Sequence, residues 1–433
     1  MEKKILLEHF LFAGYLLLFA WIVTKIKFFT RAGLNNPQLI IIFLLKVMAG
    51  ILYGWIGIYY GATAQMVDTW NFHYMGIFEY KLIRNNPHEY LTNLFNNQQG
   101  NSYLDFLTAH NSFWNELKAK FIVKILSVFN IFSFGNYYIN VIFYSFLSLF
   151  GVIGAYRMMK DAFPGKNVQV GLAVFFIPSF LYWTSGIHKD GVIFTSLVLI
   201  IYNFYFGFKE KKFTAKRILF IFAGIILIIL LRNFFLVILV PPLTAWYFAI
   251  KFPRRSFLVF VTTHLLFGII FFNAKYINER LDFAKVVVSK QREFLDMYGG
   301  SKVLVEELKP TAVDFLKTMP QAISLSILRP YPGDVIHVFS LAAAVETDLI
   351  LLLFILFIFF RIPLKQNREF VYFCVFFSFI FLLSVGYTVT FIGAIVRYRS
   401  IIFPFLLTPM IALTDWAKIA RTLFKSRNQV SKH

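Results

Sequence analysis

The chain has 433 residues, of which 58% are hydrophobic and 20% aromatic against 15% charged. So little polar surface excludes a water-soluble domain, which must cover its apolar atoms, whereas lipid lifts that requirement. The formal charge of +21, from 43 Lys and Arg over 22 Asp and Glu, fits basic loops facing anionic head groups; no nucleic-acid-binding or dinucleotide-binding pattern accompanies it, so no nucleic-acid partner is expected.

About 20 mostly apolar residues suffice to cross a bilayer. In chain order such runs lie at 8–25, 38–60, 137–155, 168–186, 190–208, 217–231, 233–250, 256–273, 339–360, 370–388 and 399–414. They predict an all-α, polytopic integral membrane protein, a single transmembrane domain over 1–433 with about eleven spans. The first run follows MEKKILLEHF without a small-residue cleavage site and reads as a retained span. Lys46 lies inside the second and is expected to meet an internal partner. The only cysteine, Cys374, sits in the tenth run as a buried thiol, with no intramolecular disulfide available to it.

Two long segments interrupt this series. Residues 61–136 contain NSFWNELKAKFIVKILSVFNIF, whose apolar residues recur at helical spacing, as in a helix lying at a membrane interface. Residues 274–338 contain NERLDFAKVVVSKQREFLDMY, a charged helix with an apolar stripe. Segments this long in a compact protein are usually functional. Basic residues set the orientation. With Lys418, Arg421, Lys425, Arg427 and Lys432 of the tail placed in the cytoplasm, alternation puts every short basic loop on the same side. These loops hold Lys25, Lys27 and Arg31; Arg157, Lys160 and Lys166; Lys209, Lys211, Lys212, Lys216 and Arg217; Lys251, Arg254 and Arg255; and Arg361, Lys365 and Arg368. Lys3 and Lys4 are the exception. Both long segments then lie outside.

The polar exceptions collect at that outer boundary. Asp68 and His73 stand in MVDTWNFHYMG; His188, Lys189 and Asp190 in the turn SGIHKDG between the fourth and fifth runs. Arg232 separates the sixth from the seventh, Arg329 and Tyr331 lie in LSILRPYPGD, and Arg397 and Arg399 in AIVRYRS. A charge at membrane depth costs at least about 2.5–3.5 kcal/mol on insertion scales, so it is kept for a reason. Each has a plainer explanation: a solvated or helix-capping Asp68, a Lys189–Asp190 surface pair, a snorkelling Arg232, interfacial anchors at Arg397 and Arg399, hydrogen-bonded structural histidines. Taken together, one carboxylate facing several fixed cations is a site for a phosphate or pyrophosphate, with the carboxylate free to take a proton from an attacking hydroxyl. No HExxH or paired-carboxylate spacing calls for a metal, and no cofactor is expected, although Asp68, His73, Glu79 and Asp190 leave room for a divalent cation.

These motifs resemble the GT-C superfamily of polytopic glycosyltransferases and related bacterial polysaccharide-assembly enzymes. Asp68-Thr-Trp-Asn-Phe72-His73 is similar to the family's acidic DxxxYH-type motif, with Phe72 in place of the commoner Tyr. Pro178 to Gly191 is similar to its SSGxxK[DE] turn. Arg397-Tyr398-Arg399 followed by Pro404 is similar to its RYRxPxxP entry to the last span, with a longer spacing to proline, and Arg329-Pro330-Tyr331-Pro332 resembles an RPFP signature. The resemblance implies a polyprenyl-phosphate- or diphosphate-linked sugar donor, a glycan or lipid acceptor, and a site on the periplasmic side of a bacterial inner membrane. It also implies Asp68 as catalytic base with His73 assisting, and Lys189, Arg232, Arg329, Arg397 and Arg399 as donor-phosphate binders supported by His188, Asp190 and Tyr331. A transferase and a repeat-unit polymerase fit equally. The alternatives are a transporter or flippase of lipid-linked or anionic glycans, against which stands the lack of inverted-repeat symmetry, and a non-catalytic membrane subunit.

Overall fold

The computed structural model describes residues 2–61, 68–96, 113–364 and 366–422, with side chains from residue 6 onward. Lys3, Lys4, Lys365, Lys425, Arg427 and Lys432, used above to orient the chain, fall outside the described side chains. Among the described residues the regular structure is helical, with no strand and two isolated bridges, Lys302 with Phe391 and Arg361 with Thr414.

The helices are α1 (Glu2–Val23), α2 (Lys27–Thr30), α3 (Asn36–Tyr59), α4 (Asp68–Asn85), α5 (Pro87–Thr92), α6 (Phe113–Ser133), α7 (Tyr137–Ala162), α8 (Asn167–Phe175), α9 (Pro178–Ser185), α10 (Lys189–Lys209), α11 (Ala215–Arg232), α12 (Phe234–Lys251), α13 (Ser256–Asn273), α14 (Phe283–Asp296), α15 (Ala312–Ile323), α16 (Val338–Phe359), α17 (Arg368–Thr388), α18 (Ile392–Ser400) and α19 (Phe403–Ala412). Among the described residues eight are long and apolar enough to cross a membrane, and ten spans result if α8–α9 and α18–α19, bent by 51° and 64°, each count as one. The eleventh expected span is α11. It forms a helix over the expected stretch, with Lys216, Arg217 and Arg232 at its two ends, where long basic side chains reach the interface. One face packs on α10 and α6 while Leu219, Phe222 and Ile226 stay exposed on the other.

Burial orders the bundle. α7 and α10 are its centre, whereas α1, α13 and α16 are its least buried spans. Lipid replaces protein contact there, so Leu17, Leu265 and Leu349 stay exposed without the penalty that water would impose. Both long segments are built from helices. In the first, α6 packs on α4, α7 and α11, burying Leu117, Ile122, Val123 and Leu126. The 3.6-residue apolar period read from the sequence is thus satisfied by protein. In the second, α14 starts at Asp282, whose side chain accepts from the Lys285 amide at 2.9 Å. Together with α15 it packs on α17.

The α15–α17 contact is close enough to require glycine. A Cβ on Gly386 would stand 2.0 Å from the Ala322 carbonyl oxygen, with backbone rather than a movable side chain in its way. Gly386→Ala is therefore expected to cost about 1–3 kcal/mol through forced helix separation. It should lower the unfolding temperature in detergent, while Gly268→Ala, where a Cβ meets nothing within 4 Å, leaves it unchanged. Equal melting of the two variants overturns the assignment.

Candidate functional site

The turn between α9 and α10 organises the polar residues. α9 ends at Ser185, Gly186 turns extended, and His188 is extended as the N-cap of α10. Four hydrogen bonds fix this break. Lys46 Nζ donates to the Thr184 carbonyl at 3.3 Å and to Ser185 Oγ at 3.1 Å, so its internal partner is a helix C-terminus and not a carboxylate. The Tyr144 hydroxyl donates to the His188 carbonyl and accepts from the Gly191 amide at 3.1 Å. A Cβ on Gly191 would meet the Thr184 carbonyl oxygen at 2.4 Å, so only glycine lets α10 start there.

This places Asp190 in the first turn of α10, where the helix dipole favours an anion. Its side chain is fully buried and held by three groups. Arg397 Nε donates to Oδ2 at 2.6 Å, Arg232 Nη1 lies 3.3 Å from Oδ1, and His188 Nδ1 lies 3.3 Å from Oδ2. Arg397 also reaches the other acid. Its Nη1 is 3.4 Å from Asp68 Oδ2, and His188 Nε2 is 3.7 Å from the same oxygen. Aromatic faces line the guanidiniums, Trp183 at 5.5 Å from Arg397 and Tyr398 at 4.2 Å from Arg232, a favourable placement for cations. Phe72 stands edge-on to His188, with the Lys189 ammonium 5.6 Å from its ring.

Asp68 comes to the site because α4 is pinned along its opposite side. Trp70 Nε1 donates to the Gly54 carbonyl at 2.9 Å and its ring stacks on Tyr137 at 4.1 Å. Thr69 Oγ1 hydrogen-bonds the Tyr137 hydroxyl at 2.8 Å. Asp68 and Phe72, one turn apart, are left facing the His188 turn. The two acids then differ in kind. Asp190 is enclosed among cations, with its Oδ1 making an ion pair to Arg232 but no hydrogen bond, whereas the Asp68 side chain is 54% exposed. The His188 imidazole 3.7 Å away, opposed by partial burial and aided by Arg397, holds the Asp68 carboxyl down at about 2.

His73 lies about 140° around α4 from Asp68. It is buried against Tyr137, with Nδ1 3.4 Å from Asn140 Nδ2. Burial, opposed by a backbone hydrogen bond at Gly135, lowers its imidazole to about 4, so it is neutral at pH 7. Its contacts are those of a packing residue, and it makes none with Asp68 in the structure.

Arg329, Tyr331 and Arg399 also stand apart from the Asp68 cluster. Two residues turn a helix by about 200°, so Arg399 leaves α18 on the side opposite Arg397. It is 2% exposed. Nη1 donates to the Arg329 carbonyl at 2.6 Å and Nη2 to Thr347 Oγ1 at 2.5 Å. Arg329 pairs instead with Asp334 at 3.1 Å, and the Tyr331 hydroxyl meets Ser324 Oγ at 2.8 Å. Arg399 thus ties the segment before α16 to α18, while the Arg329 and Tyr331 side chains hold that segment to itself. Among the described residues none of the three shares an ion pair with Asp68 or Asp190.

Two cations absent from the sequence reading lie on the long segments: Lys118 of α6 donates to Asn115 Oδ1 at 3.0 Å, and Lys290 of α14 pairs with Glu293 at 2.7 Å. Nothing in the sequence marks them out, because lysines on amphipathic helices are ordinary. Among the described residues no three His, Cys, Asp or Glu side chains gather as metal ligands do.

The arrangement supplies fixed guanidinium and ammonium donors beside one accessible carboxylate. It can hold an anion and orient a hydroxyl next to it. No family model, curated protein or solved structure matches the chain.

Proposed function

We propose that this protein is a membrane glycosyltransferase that transfers a sugar or oligosaccharide from a polyprenyl-phosphate or -diphosphate donor to a glycan or lipid acceptor. In this reading the site faces the periplasm from a bacterial inner membrane, with the C-terminal tail in the cytoplasm. The observation that carries it is the shared use of Arg397 by two acids, 2.6 Å from buried Asp190 and 3.4 Å from accessible Asp68. Asp190 fixes the guanidinium, and Asp68 stands where a hydroxyl can be placed against whatever that guanidinium binds.

The donor phosphate sits on Arg397, Lys189 and Arg232, with its lipid tail in the bilayer. The acceptor hydroxyl donates a hydrogen bond to Asp68. As the acceptor oxygen attacks the anomeric carbon, the bond from that carbon to the phosphate oxygen breaks with inversion. The hydroxyl proton passes to Asp68, and the leaving phosphate keeps the electron pair under the cations. Asp68 is a weak base while Arg397 and His188 face it alone. A bound phosphate shares the charge of Arg397 and so raises the basicity of Asp68 when the donor is present.

The test is direct. Purified protein in nanodiscs, given polyprenyl-linked sugars and an acceptor glycan, is expected to consume donor and release the lipid phosphate. Movement of intact donor across proteoliposomes without cleavage overturns the reading in favour of a transporter.

A further inference from the structure

α16 is held to the bundle along one side only. Thr347 Oγ1 accepts from Arg399 Nη2 at 2.5 Å, and Glu346 Oε1 accepts from the Ser179 amide, at the start of α9, at 2.9 Å. These two contacts set the rotation of the helix, and each further residue turns it by about 100°. Asp348, next in sequence, is thereby carried outward and is exposed. It is the eleventh of the 22 residues of α16, midway along a helix long and apolar enough to span the bilayer.

An acid at that depth normally faces the interior of its own bundle, where a partner replaces water. Here it stands at the centre of an outward row. Leu341, Val345, Asp348, Leu352, Ile355 and Phe359 follow one another at alternating steps of four and three, and all six are exposed. Such steps make the seam along which one helix lies on another, and a single polar side chain within the seam sets its register. Between helices in lipid, apolar burial as such contributes little, and close packing with a polar pairing holds them together. The charge also selects the occupant. A second copy of the chain would bring an equal acid to the seam. Its own mid-span bases are turned inward among the described residues: Lys46 is buried on Thr184 and Ser185, and His264 bonds the Phe260 carbonyl through Nδ1 while its Nε2 is buried.

We infer that the outer face of α16 is a docking surface for the transmembrane helix of a partner protein that carries one Lys or Arg midway along a matching apolar row. The basic side chain pairs with Asp348 and fixes the register, and the partner's apolar residues pack between Val345 and Leu352. Thr347 and Glu346, on the other side of the same turn, join this surface to Arg399 and α9. The surface stands independently of the transfer reading above.

Energy transfer in liposomes tests the pairing, with a dye on the full chain and another on synthetic Leu/Ile transmembrane peptides of the length of α16. The peptides differ only at the centre, where they carry Arg, Leu or Glu. The Arg peptide is expected to bind about tenfold tighter than the Leu peptide, the scale of one polar contact between helices in lipid. Asp348→Leu should erase that preference, and Asp348→Arg should transfer it to the Glu peptide. Val345→Trp, within the seam, should weaken binding of the Arg peptide, whereas Leu265→Trp on the exposed face of α13 should not. A photoreactive residue in place of Val345 then captures the occupant in native membranes. Crosslinks to a protein whose span holds a mid-depth Lys or Arg, lost in Asp348→Leu, support the surface. Equal binding of the Arg and Leu peptides overturns it, as do crosslinks only to lipid, to a second copy of the chain or to a span without a basic residue.

Discussion

Asp68→Asn is expected to reduce donor consumption by at least about 100-fold, the low end for loss of a positioned proton acceptor, with expression and unfolding temperature unchanged. The fold tolerates the change because the side chain is more than half exposed, and Arg397 and His188 keep Asp190 as a partner. The amide preserves shape but neither takes a proton nor opposes the positive charge of Arg397. The acid also carries a pH signature. Its folded value of about 2 lies below the ordinary carboxylate range, so the stability it contributes is present above the unfolded value and is lost as pH falls through about 2. Asp68 is accordingly ionised in the free enzyme throughout the neutral range. The kcat/KM profile, which reports the free enzyme, should show no acid limb from this group above pH 4. Wild-type turnover by Asp68→Asn removes the residue from the chemistry.

Asp190→Ala is expected to damage the fold itself. The substitution leaves the Arg397 and Arg232 guanidiniums in a buried position with no shared carboxylate between them. Removing one partner of a buried ion pair costs about 3–5 kcal/mol because the other charge stays desolvated, a large part of the stability of an ordinary domain. A strong fall in the unfolding temperature or loss of detergent-soluble protein is the expected readout. Replacing both partners distinguishes charge from packing: Asp190→Leu with Arg397→Met should be less destabilised than Asp190→Ala, since no orphaned charge remains at Arg397. A single Asp190→Ala variant that melts with the wild type contradicts the buried network.

The spans were legible because each is a long apolar run, a signal that needs no tertiary context. Even α11, whose charges Lys216, Arg217 and Arg232 are confined to its ends, was found as a helix. Polar residues stood out for the same reason, as exceptions in apolar text, and Asp68, His188, Asp190, Arg232 and Arg397 do meet through ion pairs in the structure. Direction was not legible. Arg397 and Arg399 look equivalent in RYR, yet two residues separate opposite faces of α18, and only the packing of its neighbours decides which face meets Asp190. Asp68 and His73 posed the same problem on α4, where Trp70 and Thr69 fix the rotation.

The nine residues of α18 hold one arginine against the α9–α10 turn and the other against the carbonyls of Ser326 and Arg329. Because both arginines leave one nine-residue helix, a movement of the 324–334 stretch that carried α18 with it would displace the guanidinium beside Asp68 as well.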